Sequence, residues 1–333
     1  MNKVFIVAEM SGNHGGSFNK ARDIVVAAAE VGADAIKLQT FPTADALTID
    51  VDNQWTRITG GAWAGRTLYQ LYQEACTPIG WHAALRDIAY VHGIELFSTP
   101  FSIEAVEFLD WIGVKRYKVA SYEICDYELL DAINKKRKPV IMSTGMATGN
   151  EIMAALAYLR DCPVTLLKCT AAYPAQIADM NLVTLRYLKN FAPEVGLSDH
   201  SLSTIIPAIA VGAGATVIEK HLTLLRTKGD IDSEFSLEPH EFAEMVRNVR
   251  EAEAGMGEVK FGPTESEKTN MMFRRSVFSV KSIKAGETFT RENVRVIRPG
   301  YGLHPSKFEW LLGKTAMRDI EVGWPIAEVD TAG

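Results

Sequence analysis

Glu194-Val195-Gly196-Leu197-Ser198-Asp199-His200 and Thr216-Val217-Ile218-Glu219-Lys220-His221 are the stretches whose reading decides the fold. Each is a short apolar run that ends in a histidine beside a carboxylate, and about one β/α unit separates them. A parallel barrel strand that delivers a metal ligand to the barrel mouth would end in this way. Six further runs have the same form, ending at Glu9 (VFIVAE), Gln39 (AIKLQ), Thr99 (IELFST), Ser121 (YKVAS), Thr144 (PVIMST) and Thr170 (VTLLKCT). Helical patterns lie between them. Ile24, Val25, Ala28 and Ala29 recur at helical spacing before a stop at Gly32, and Ser102 is a candidate N-cap for a helix closed by Gly113. Eight strand-then-helix units predict a (β/α)8 TIM barrel, because a strand followed by a crossover helix returns parallel.

Two connections break the rhythm. From Phe41 to His92 there are two helical patterns and an irregular stretch, 42–66, with Gly60-Gly61, Trp55 and Trp63. Loops of that length in a compact domain are usually functional, so it is a candidate substrate lid. The charged loop 223–239 follows the last strand on the same rim. Beyond Gly255 the pattern changes, giving a barrel over 1–255, a polar linker over 256–274 and a small β-rich domain over 275–333. A module of that size is expected to dock onto a barrel, its own or a partner's.

Composition narrows the function classes. The 333 residues are 47% hydrophobic and 23% charged, as expected of an ordered globular protein, and the net charge of −6 argues against nucleic acid or an anionic membrane as partner. The four cysteines form no C-x-x-C pair. No run approaches the ~20 apolar residues of a bilayer span, and the first apolar run is interrupted by Glu9, so a cytoplasmic protein is expected.

The predicted strand ends are unusually polar: Glu9, Lys37, Gln39, Ser98, Thr99, Lys118, Ser121, Thr144, Lys168, Ser198, His200, Glu219, Lys220 and His221. Any one of these could merely solvate a strand end; as a set on one rim they point to chemistry. Lys37, Lys118 and Lys168 would form a positive ring suited to phosphate or carboxylate, and a Schiff-base lysine is the alternative. His200 and His221, on neighbouring strands ~4.8 Å apart, could share one ion and leave positions open for water and substrate. Capping of strand carbonyls is the plainer role for either. His14, in Gly12-Asn13-His14-Gly15-Gly16, is as well suited to structuring its loop as to contacting substrate.

Jointly these motifs resemble the sialic acid synthase (nonulosonic acid synthase) family. The matching segments include Ile6 to Glu9 with Asn13-His14, Gly32 to Thr40, Ser98 to Phe101, Tyr117 to Ser121, Ser143 to Met146, Tyr173-Pro174, Gly196 to His200 and Glu219 to His221. The C-terminal module, with Lys284-Ala285-Gly286-Glu287 and Arg298-Pro299-Gly300, looks like that family's antifreeze-like (SAF) domain. Trp63 to Tyr69, Leu71-Tyr72, Thr77-Pro78 and Phe235 to Pro239 are similar to the branch that makes pseudaminic acid rather than N-acetylneuraminate or legionaminate.

The resemblance implies condensation of phosphoenolpyruvate with an acetamido sugar, in this branch 2,4-diacetamido-2,4,6-trideoxy-L-altrose, releasing phosphate. It implies Mn2+ or Mg2+ on His200 and His221, and phosphoenolpyruvate on Lys37, Thr99, Lys118, Ser121 and Ser198. Glu9 would handle protons, with Glu219 orienting the metal site. Gln39, Tyr173, Asp232 and Arg298 would contact sugar, with Arg298 reaching a partner's barrel in a domain-swapped homodimer. Two departures stand out: Ala171 replaces a usual Ser or Asn, and the loop Lys228 to Ser233 leaves Asp230 and Asp232 as rival sugar contacts. A Schiff-base aldolase and a non-catalytic sugar-binding protein are the competing classes.

Overall fold

The computed structural model describes residues 3–227 and 231–332. The chain divides into two compact units, Met1–Glu258 and Val259–Gly333. In the first, eight parallel strands close into a barrel in sequence order: β1 (Phe5–Glu9), β2 (Ala35–Thr40), β3 (Glu95–Pro100), β4 (Tyr117–Val119), β5 (Val140–Ser143), β6 (Val164–Cys169), β7 (Glu194–Asp199) and β8 (Val217–His221), with β8 pairing back onto β1. This is the expected TIM barrel.

Helix α1 (Phe18–Glu30) starts a turn earlier than the apolar spacing indicates, because the Ser17 side chain accepts a hydrogen bond from Lys20 N and caps it. Where a helix followed β3, the expected cap is present: Ser102 accepts from Ala105 N. The connection after β2 holds α2 (Leu68–Ala75) and α3 (His82–Val91), with its irregular part drawn together by a bridge between Arg57 and Thr67.

Side chains alternate along each strand, and the barrel turns one set inward. Val7, Ala35, Phe97, Ile141, Leu167 and Val217 form a separate buried cluster inside it. The larger apolar core, including Ile6, Ile36, Leu96, Val119, Met142, Leu166 and Ile218, lies between the strands and the surrounding helices. Gly196 occupies an inward position where no side chain fits: a Cβ there would lie 2.2 Å from Val217 O and 2.7 Å from Leu167 Cδ2.

The second unit has its own small core of Val277, Ile283, Phe289, Val294, Leu311, Ile320 and Ile326. It contains an antiparallel pair, β9 (Ser276–Ser279) with β10 (Val294–Ile297). Within the polar linker, residues Glu265–Phe273 form a 3-10 helix, whose start is closed by reciprocal bonds between Thr264 and Glu267. Among the described residues no helix is long and apolar enough to cross a membrane.

Gly196→Ala is expected to destabilise the barrel by at least about 1–3 kcal/mol, since β7 and β8 must separate to admit the methyl group. Urea unfolding followed by circular dichroism reads the effect as a lower midpoint.

Candidate active site

Two residues beyond each member of the inner apolar cluster stands a group that can do chemistry. Val7 is followed by Glu9, Ala35 by Lys37, Phe97 by Thr99, Ile141 by Ser143, Leu167 by Cys169 and Val217 by Glu219. With Gln39, Lys118, Ser121, Tyr173, Ser198, His200, His221 and Asp232 they line one cavity of about 500 Å³.

The charges there are nearly dry and alternate in sign. Lys37 Nζ pairs closely with Glu9 Oε2, lies 3.9 Å from Glu219 Oε2 and donates to Thr99 Oγ1 at 3.3 Å. Lys118 Nζ donates to Ser143 Oγ at 2.7 Å and stands 3.9 Å from Glu219 Oε1. Glu219 Oε1 also accepts from Ser198 Oγ at 2.9 Å, and Glu9 Oε1 accepts from Ser11 N at 2.9 Å.

Burial pushes Glu9 up to about 7 against the pull of Lys37, with the negative charge of Glu219 adding to the rise. For Glu219, burial acts in the same direction, but Lys118, Lys37 and the Ser198 hydroxyl outweigh it and hold it low. The two buried carboxyls therefore differ: one poised near neutrality, one fixed as an anion. Burial likewise opposes charge on Lys37, yet Glu219 and Glu9 lift it above the usual lysine range, while Lys118 is lowered, mainly by burial.

His200 and His221 meet at the mouth of the barrel, where Glu9 and His221 are register partners on β1 and β8, and their ring centroids are 5.4 Å apart. Nδ1 of His200 donates to Thr170 O at 3.1 Å, which leaves Nε2 free to face the cavity. His221 Nδ1 is buried and hydrogen-bonded to no partner among the described residues, and burial holds its pKa well below the usual histidine value. His221 is thus the neutral imidazole with an unused ring nitrogen that metal ligation requires, whereas His200 is raised, its burial outweighed by Cys169 and Glu219. Among the described residues no group of three His, Cys, Asp or Glu side chains is placed to hold a metal, so an ion here would take two protein ligands and keep its other positions open. Tyr173 packs 4.4 Å from His200 and Phe235 packs 5.0 Å from His221, ring to ring.

Four expectations need correction: Thr144 does not line the cavity, and its hydroxyl donates to Leu167 O at 3.0 Å. Lys168 does not join the ring of lysines; it faces away from the cavity and donates to Cys169 O at 2.8 Å. Ser98 also faces the helices, where its hydroxyl bonds Thr40 Oγ1 at 2.6 Å, and Lys220 lies on the outer face of β8. Strand-end position drew these residues together in the sequence, whereas the pleat sends every second one outward.

His14 resolves to the structural role: its Nδ1 accepts from Gly16 N at 3.0 Å and its Nε2 meets Thr77 Oγ1 at 3.2 Å. Asp232 is buried, accepts from Gly12 N at 3.1 Å and lines the cavity; Asp230 lies outside the described residues. Gln39 Nε2 donates to Ser11 Oγ at 2.8 Å. Arg298 belongs to the second unit, where it is exposed. Ala171 packs toward Gly145 beside Ser121, whose Oγ accepts from Gly145 N at 3.0 Å.

Sequence reasoning missed Ser143, Glu123 and a cavity contact for Cys169. Ser143 and Cys169 carried a signal, each two residues past an inward apolar residue. Glu123 carried none: it sits on a 3-10 turn after β4, with Oε2 buried and without a hydrogen-bond partner, and burial pushes it up to about 7 against the pull of Lys118.

Fold and cavity together define a (β/α)8-barrel enzyme with a dry, charge-alternating mouth. The chain belongs to the NeuB family, whose profile matches residues 24–261, and residues 274–330 match the SAF domain. It is 45% identical over 332 residues to pseudaminic acid synthase of Campylobacter jejuni, covering 98% of this chain and 96% of that protein. Pseudaminic acid synthase of Helicobacter pylori is 37% identical, with 98% and 97% covered. Among solved structures, N-acetylneuraminic acid synthetase of Leptospira borgpetersenii is similar with a TM-score of 0.72 and 33% identity, over 81% of this chain and 90% of that one.

The neutral buried histidines make the fold acid-sensitive in a defined window. His14 and His82 are lowered to about 4, mainly by burial, from an ordinary value of 6.5. As pH falls from about 6.5 towards 4 the unfolded chain binds protons that these two histidines refuse when folded, so the stability they contribute is full above that window and lost within it, while Glu9 and Glu123, raised to about 7, act in the opposite sense. His82 Nε2 bonds Thr40 Oγ1 at 2.8 Å. His82→Gln is expected to reduce proton uptake on unfolding by about one in this window, read as a shallower pH dependence of the urea midpoint.

Proposed function

We propose that this chain condenses phosphoenolpyruvate with 2,4-diacetamido-2,4,6-trideoxy-L-altrose to give pseudaminic acid and phosphate. The observation that carries the reading is that Lys37, Lys118, His200 and His221 all line a single cavity. Identities of 45% and 37% to pseudaminic acid synthases, against 33% to an N-acetylneuraminic acid synthetase, favour this branch.

Lys37 and Lys118, with Thr99, Ser121 and Ser198, hold the phosphate and carboxylate of phosphoenolpyruvate. A divalent ion, Mn2+ or Mg2+, held by His200 and His221 would polarise the aldehyde of the sugar. Carbon 3 of the enol phosphate bonds to the aldehyde carbon, water adds at carbon 2, and cleavage of the C–O bond releases phosphate. Glu9, poised near neutrality, holds or releases the proton of that water, while Glu219 stays ionised and stabilises the positive charge developing at carbon 2. Gln39, Tyr173 and Asp232 face the sugar. The same reading gives a cytoplasmic domain-swapped homodimer in which the exposed Arg298 of each copy serves the sugar site of the other.

One side of the cavity is apolar. Ile58, Trp63, Leu71 and Ala75 from the connection after β2 pack with Ile231 from the loop after β8, Leu68 lines the same cavity, and Trp63 Nε1 ties the two loops by donating to Ile231 O at 2.7 Å. Such a wall suits the methyl groups of a 6-deoxy, bis-acetamido sugar, whereas a hydroxymethyl group would give up water there without a partner.

Phosphate release measured with phosphoenolpyruvate and each of three sugars tests the function: the L-altrose derivative is expected to be preferred, with EDTA and His200→Ala each abolishing turnover. Preference for N-acetylmannosamine or the legionaminic precursor overturns the branch. Activity resistant to EDTA, with a borohydride-trapped pyruvate adduct, establishes the aldolase class instead, and sugar binding without phosphate release establishes a binding protein. For the wall, Leu71→Ala is expected to lower kcat/KM for the trideoxy sugar by roughly 10–100-fold, mostly through KM, while leaving the KM for phosphoenolpyruvate unchanged.

A further inference from the structure

An ion pair that the chemistry above does not use lies on the outer face of β7 and β8. Lys220 and Asp199 have fully shielded side chains, and Lys220 Nζ donates to Asp199 Oδ2 at 2.5 Å. The same ammonium reaches Ser203 O at 3.1 Å and Ser201 Oγ at 3.4 Å. Asp199 Oδ1 accepts from Ser201 N at 2.9 Å. All three ammonium donors therefore find acceptors in the short turn 199–203, which is tied to β8 by one side chain. His200 stands in that turn.

The register makes the arrangement specific. Ser198 opposes Glu219 and Asp199 opposes Lys220. Residues on the two strands run inward, outward, inward: Ser198, Asp199, His200 beside Glu219, Lys220, His221. The hydrogen bond from Ser198 to Glu219 and the meeting of the two imidazoles lie on the inner face, and the ion pair lies between them on the outer. Two apolar residues would fill this layer without the desolvation cost of two charges, so packing alone does not call for the pair. What apolar residues lack is direction: they would not fix the turn against β8 at a defined distance.

We propose that the Lys220–Asp199 pair is a positioning lock, pinning the turn that carries His200 onto the strand that carries His221 and so setting the spacing of the two imidazoles for a divalent cation. The inference rests on the metal reading of those histidines. Lys220 and Asp199 face away from the cavity and touch neither substrate nor ion; they act through the backbone between them.

The test compares the full-length wild type with Lys220→Met/Asp199→Leu, which removes both charges together because either single change strands the other in the core. Mn2+ affinity is measured by electron paramagnetic resonance of the free ion, phosphoenolpyruvate affinity by calorimetry, and folding by thermal melting. The expected result is a folded variant whose Mn2+ dissociation constant rises roughly 10–100-fold while phosphoenolpyruvate affinity is retained. Mn2+ affinity equal to wild type overturns the lock, as does an equal loss for both ligands, which is general loosening. If the apolar variant does not fold, Lys220→Gln/Asp199→Asn carries the same comparison with side-chain volume kept. A wild type that binds no Mn2+ removes the metal reading and the lock together, whereas a binding wild type with an equally binding variant removes the lock alone.

Discussion

Each barrel strand shows one side chain in two to the interior, and the site is built on that alternation. The lower inward layer is apolar: Phe97, Leu167, Ile141 and their neighbours fill the barrel, and Gly196 yields its place so that Leu167 and Val217 can close over it. The next inward layer is charged. A filled floor keeps water from reaching Glu9, Lys37, Lys118 and Glu219 from below, so each must satisfy its charge from its neighbours. Packing below thus produces the electrostatics above. The outward residues of the same strand ends face a different neighbourhood, the helix layer, where Thr40 bonds both Ser98 and His82 and Lys220 meets Asp199.

This division explains what could be read from the sequence. Eight apolar runs with polar ends sufficed for the barrel, because a strand buried on both faces reads as a continuous apolar run whichever way its residues point. For the same reason the runs concealed facing. Lys168 and Lys220 look as promising as Lys37 and Lys118 until the register is known, since counting by two requires a fixed inward residue to count from. Glu123 was beyond any count: the 3-10 turn after β4 returns its carboxyl to the cavity, and no periodicity marks a turn. Ser17 advanced the start of α1 through a side-chain cap that lies outside the apolar spacing.

Glu9, Lys37, Lys118 and Glu219 alternate in sign across the mouth, and under the proposed function a substrate phosphate would upset their balance. Lys37 is engaged by Glu9 and faces Glu219, so an arriving anion must share that lysine with a carboxylate already there. Glu9 is the one that yields. It is poised near neutrality, whereas Glu219 is held ionised by Lys118, Lys37 and Ser198. In the proposed reaction a phosphate beside Glu9 would add negative charge in a dry site, which would favour the protonated form further and leave Lys37 to the substrate. On departure of phosphate the added charge would go with it and Glu9 would become the stronger acid again. Binding of the anion and the protonation state of Glu9 would therefore be one coupled equilibrium, linked through the lysine that pairs with Glu9.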